Sequence, residues 1–100
     1  AEKLKNSYFK ELYEFEEQKF SVVKKIVAFR IQHKLSQNQL AERIGVTQQH
    51  ISKIENGDFS SFATLAKILF NIGYAVRLQT IPIRHNKYSR VKRALAAERK

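Results

Sequence analysis

The sequence predicts a compact, mainly α-helical domain of four to five helices, with a helical extension before it and a short strand after it. Three observations predict this. Apolar residues recur at helical spacing from Ser21 to Gly73; capping and stop residues divide that stretch into short pieces; after Gly73 the apolar period shortens to two.

Residues 1–20 hold five of the eleven aromatics: Tyr8, Phe9, Tyr13, Phe15 and Phe20. Phe9, Leu12, Tyr13 and Phe20 approximate one helical face, interrupted by Glu16. Ser21 can cap a helix running to about Lys34, with Val23, Ile26, Val27 and Ile31 as its inward stripe. Ser36 and Gln39 form a capping box that starts a second helix, which presents Leu40 and Ile44 to the core and stops at Gly45. Thr47 caps a third helix with Ile51 and Ile54 inward, ending at Asn56-Gly57. Ser60 or Ser61 starts a fourth, carrying Phe62, Leu65, Ile68, Leu69 and Ile72 and closed by Gly73. Tyr74, Val76 and Leu78 then alternate with Ala75, Arg77 and Gln79, as in a strand that Pro82 limits to an edge or an end. The division is therefore an extension (1–20), a helical domain (21–73), a strand (74–83) and a basic tail (84–100).

Composition narrows the partners. The net charge of +10 points to a polyanion, most often nucleic acid. The charge is uneven: residues 1–20 hold four Lys and five Glu, whereas residues 74–100 hold eight basic residues and one acidic. The absence of cysteine excludes disulfides and thiolate metal sites. No apolar run approaches the length of a membrane span and no signal peptide is visible, so a cytoplasmic protein is expected, nucleoid-associated when bound to DNA. No paired carboxylates, Ser/His/Asp set or glycine-rich phosphate loop is present, so no enzyme activity, cofactor or metal is expected.

The informative stretch runs from Ser36 to Gly57. Two short helices joined by a tight turn at Gly45 suit one helix crossing the DNA backbone while the other enters the major groove. Ala41 falls at the close approach between them. Residues at the start of the groove helix point at base edges, and Gln matches adenine N6 and N7.

The patterns Q-x-x-L-A-x-x-I-G-V, from Gln37 to Val46, and I-E-N-G, from Ile54 to Gly57, resemble the Cro/repressor (XRE-type) helix-turn-helix family. The resemblance spans roughly residues 22–73, and Ser36 and Ile51 also match. It implies a lambda-repressor-like fold. The start Thr47-Gln48-Gln49 is similar to the recognition helix of lambdoid phage repressors. By that resemblance Gln37 contacts phosphate, Gln48 and Gln49 read bases, and Lys53 faces the groove. Lys53 departs from the glutamine of the closest phage pattern, so the preferred sequence does not transfer. Thr47, His50 and Ser52 complete the expected DNA-facing set, with His50 read either as a phosphate contact or as a surface histidine.

The layout from about residue 8 to 83 resembles the HigA type of antitoxin. That resemblance implies a homodimer on a palindromic operator, repression of its own operon, and neutralisation of a RelE/HigB-like ribonuclease toxin. The dimer contact is expected at Tyr74, Val76 and Leu78, because a lone strand exposes unpaired amides and carbonyls. The toxin contact is expected at Phe9, Leu12, Tyr13, Phe15, Glu16 and Phe20; the other reading of that stretch is packing back on the domain. The basic tail is longer than the layout requires and is either a solvated arm or a DNA-backbone contact, with Tyr88, Val91 and Leu95 as a weak apolar stripe. His33 and His85 read as surface residues, and Glu55 as an anchor for the third helix. The competing functions are a stand-alone phage- or plasmid-type repressor and a small basic ribonuclease; the latter leaves the groove helix unexplained.

Overall fold

A computed structural model describes residues 2–83 of the chain. The basic tail from residue 84 onward, with His85 and the Tyr88, Val91 and Leu95 stripe, lies outside the described residues. The described residues form four helices in the order α1 (Glu2–Gln32), α2 (Gln37–Ile44), α3 (Gln48–Glu55) and α4 (Phe62–Asn71).

Helix α1 is one uninterrupted rod of 31 residues. The expected start at Ser21 is corrected: Ser21 lies inside the helix, and its hydroxyl accepts from Lys25 Nζ at 3.0 Å. A serine can cap a helix, but it does not end the one before it. Residues 2–20 contain no Gly or Pro and are rich in Glu and Lys, so nothing breaks the helix. The extension and the first domain helix are thus one element.

The other helix starts match the expected caps. Ser36 and Gln39 exchange both capping-box bonds at 3.0 and 2.8 Å. Thr47 caps α3 and Ser61 caps α4 through side chains that accept from His50 and Thr64 amides. At the C-termini a residue with positive φ is followed by a backbone bond reaching back five residues. That residue is Gly45, Gly57 or Gly73 after α2, α3 and α4, and Lys34 (φ 55°) after α1. Leu35 N–H to Arg30 C=O at 2.9 Å closes the α1 terminus. Lys34 is the one described non-glycine residue that holds this backbone shape.

The core is aliphatic: Ile26 of α1, Leu40, Ala41 and Ile44 of α2, Ile51 and Ile54 of α3, and Leu65, Ile68, Leu69 and Ile72 of α4 and its end. Val22, Phe29, Leu35, Val46, Phe59 and Val76 close its margins. Two expected core residues face out instead: Ile31 and Phe62 are exposed. The helical period explains Ile31. Four residues past Ile26 is Arg30, which takes the inward position, and Ile31 is turned away from it.

The expected strand at Tyr74, Val76 and Leu78 does not form among the described residues; residues 74–83 have no regular structure. A strand exists only as half of a hydrogen-bonded pair, and the described chain supplies no second half. Val76 packs on the core, whereas Leu78 is exposed. Tyr74 is tied back by its amide to Leu69 C=O at 2.8 Å, with Lys25 over its ring.

Candidate nucleic-acid interface

The turn between α2 and α3 determines how the groove helix is presented. Gly45 adopts φ +89°, a conformation that L side chains rarely take. Space is not the constraint: a Cβ there would meet Lys67 Nζ at an ordinary 3.5 Å. Ala41, only 1% exposed, accepts the amides of both Gly45 and Val46, at 2.8 and 3.0 Å. Lys67 of α4 donates to Gly45 C=O at 3.2 Å, placing a cation on the carbonyl end of α2, where the helix dipole favours it.

Helix α3 turns Ile51 and Ile54 into the core. The 3.6-residue period therefore places Gln48, Gln49, Ser52 and Lys53 on the outer side. Gln48, Gln49 and Lys53 are exposed and Ser52 is half-buried. The row offers amide and ammonium donors with no carboxylate among them, which suits base edges and phosphates.

Two of the expected DNA-facing residues also hold the helix start together. Thr47 Oγ1 accepts the His50 amide at 3.2 Å, and His50 Nδ1 accepts the Thr47 amide at 3.4 Å. This is a capping box with histidine in the place usually held by Glu or Gln. Sequence reasoning missed that role because the usual pattern names only Glu and Gln.

Gln37 is half-buried and donates through Nε2 to Glu55 Oε1 at 3.0 Å. Glu55 also receives a two-pronged contact from Arg30, Nε to Oε2 at 2.8 Å and Nη2 to Oε1 at 3.1 Å. Arg30 Nη1 donates further to Leu35 C=O at 3.2 Å. One carboxylate thus joins α1, the start of α2 and the end of α3. Glu55 is the anchor expected from the sequence; its partner Arg30 was not foreseen. The signal was present, since Arg30 lies four residues past Ile26 on the inward face, where an unpaired charge is costly.

Not every expected site residue lies near this surface. Phe9, Leu12, Tyr13, Phe15, Glu16 and Phe20 sit on the first five turns of α1, all exposed. Lys19 marks where the body of the domain begins: its ammonium lies over both Phe15 and Phe59, at 5.6 and 5.5 Å.

A short helix held across a tight turn, a buried aliphatic underside and an outer row of amides and a lysine make a helix-turn-helix arrangement whose outer face is suited to DNA. Residues 26–69 match the helix-turn-helix family model, and the match supports the Cro/repressor (XRE) type, sequence-specific DNA binding and transcription regulation. No curated protein and no solved structure matches the chain. No helix among the described residues is long and apolar enough to cross a membrane.

Proposed function

We propose that the protein is an antitoxin that binds a palindromic operator as a homodimer, represses its own operon and neutralises a cognate ribonuclease toxin of the RelE/HigB kind. It acts by binding rather than by catalysis, in the cytoplasm. The observation that carries the antitoxin reading is the start of α1. It is helical, with Phe9, Tyr13, Phe15 and Phe20 each more than half exposed. Aromatic surface of that extent calls for a protein partner, because buried Phe and Tyr dominate interface energetics. Packing back on the domain does not account for it in the isolated chain, where these rings are open.

DNA is a poor partner for this segment, whose five glutamates outnumber its four lysines. Ribonucleases need basic surfaces to hold RNA, and Glu11, Glu14, Glu16 and Glu17 complement such a surface while Phe9, Leu12, Tyr13, Phe15 and Phe20 fill apolar grooves. On the DNA side, Gln48 and Gln49 read bases, Lys53, Ser52 and His50 face the groove or its walls, and Gln37 and Thr47 approach the backbone. Tyr74, Val76 and Leu78 pair with the same residues of a second copy, which supplies the missing half of the strand pair.

The test is a pull-down with the small basic protein encoded beside this gene, comparing the full chain with one beginning at Ser21. Loss of binding and of neutralisation in the shortened chain, with operator binding retained, is the expected result. Equal neutralisation by both chains removes the start of α1 from the toxin contact, and the absence of any adjacent toxin gene favours the stand-alone repressor.

A further inference from the structure

The face of α1 that enters the core does not stop where the core stops. Val22, Ile26 and Phe29 pack in or against the core. Continued toward the N-terminus at the same alternating spacing of four and three, the row runs through Lys19, Phe15, Leu12 and Tyr8. This is a heptad seam, interrupted by Lys19 and ending at Lys5. Its C-terminal half is covered by α2–α4. Its N-terminal half is open: Tyr8 is 63% exposed, Leu12 41% and Phe15 53%.

We infer that this open half-seam pairs antiparallel with the same half-seam of a second copy, forming a self-association surface distinct from residues 74–78. Charge selects both the occupant and the direction. A parallel pair would set Lys19 against Lys19 and bring Glu11 beside Glu16 of the second copy, like charges at both places. The antiparallel pair sets Leu12 against Phe15 and the Tyr8 ring beside the stem of Lys19, whose ammonium is held by Glu16 and lies over Phe15 and Phe59. Its flanks bring Glu11 beside Gln18 and Glu16 beside Phe9, with no like charges facing.

The paired stretch, Tyr8 to Lys19, is about 18 Å of helix with one domain body at each end, and residues 2–7 of each copy continue past Lys19 of the other. The two Ile26 positions then stand about 37 Å apart along the shared axis, close to one turn of DNA. The pairing does not depend on the toxin reading. It covers Leu12 and Phe15 and has Phe9 at its flank, so a partner using those residues competes with it, whereas Tyr13 and Phe20 lie on the neighbouring face.

Sedimentation equilibrium of the full chain tests the inference, with the double substitution Leu12→Glu and Phe15→Glu compared with Leu78→Lys. Both altered α1 positions are exposed in the isolated chain, so helical content and melting should be unchanged. The double substitution should weaken self-association through α1 at least about tenfold, and adding Leu78→Lys to it should weaken association further, since the two surfaces are separate. The chain has no cysteine, so single cysteines report direction. A short bis-maleimide linker should join Tyr8→Cys chains to Lys19→Cys chains in a mixture, and neither variant to itself. Unchanged self-association in the double substitution, or self-linking by Tyr8→Cys alone, overturns the inference.

Discussion

Gln48 and Gln49 occupy the first turn of α3, and their side chains are exposed because Ile51 and Ile54 use the opposite side. Replacing either with Ala should cost about 1–3 kcal/mol on the operator and little on random DNA, because a bidentate base contact carries discrimination while phosphate contacts carry none. Gel shifts on both DNAs measure this; equal losses on the two would exclude base reading by that residue. Lys34 offers a test of stability at the same scale. Its φ of 55° is a conformation that costs a residue with a Cβ about 1–2 kcal/mol, only partly offset by the extra unfolded-state freedom of glycine. Lys34→Gly should therefore raise stability by about 0.5–1 kcal/mol, seen as a melting point a few degrees higher. Gly45→Ala should lower it by about 1–2 kcal/mol, through backbone strain rather than collision. The sequence alone marked Gly45 as a turn, but not Lys34, because nothing about a lysine announces a left-handed backbone.

The helices depend on one another through Glu55. Its side chain is only 8% exposed and that of Arg30 21%, so removing one partner strands a charge in a largely dry place. Glu55→Ala should cost about 2–4 kcal/mol in urea unfolding, and combining it with Arg30→Met should recover part of that loss. If the losses simply add, the ion pair does not hold the three helices together. The start of each of the three short helices was legible because capping is local: one side chain and an amide two or three residues on. The unity of α1 was not, since a cap residue marks where a helix is able to begin and says nothing of whether an earlier helix has ended. The Arg30–Glu55 pair spans 25 residues, and no local pattern encodes such a pairing.

Across the whole chain, the charge divides the molecule into a nearly neutral first stretch and a strongly basic remainder. Operator affinity should fall steeply with salt, as counterions held by phosphate are released on binding. Deleting residues 84–100 should flatten that slope if the basic tail contacts DNA; an identical slope assigns it no phosphate contact. For the dimer, Leu78→Lys is a cleaner probe than a change at Val76, because Leu78 is exposed and Val76 packs on the core. Weakened association in sedimentation, with an unchanged melting point, is expected from Leu78→Lys alone, and monomers once Leu12→Glu and Phe15→Glu are added.

The sequence by itself determined the helical class, the starts of α2, α3 and α4, the aliphatic core and the exposure of Gln48, Gln49 and Lys53. Each follows from caps, stops and a 3.6-residue period, all written within a few residues of one another. Tertiary structure alone decided three things: that α1 continues through Ser21, that Arg30 finds Glu55 as its partner, and that residues 74–83 stay irregular in a single chain. These depend on what lies opposite. A helix face is assigned by the surface that covers it, and a strand requires a partner strand before it is a strand at all.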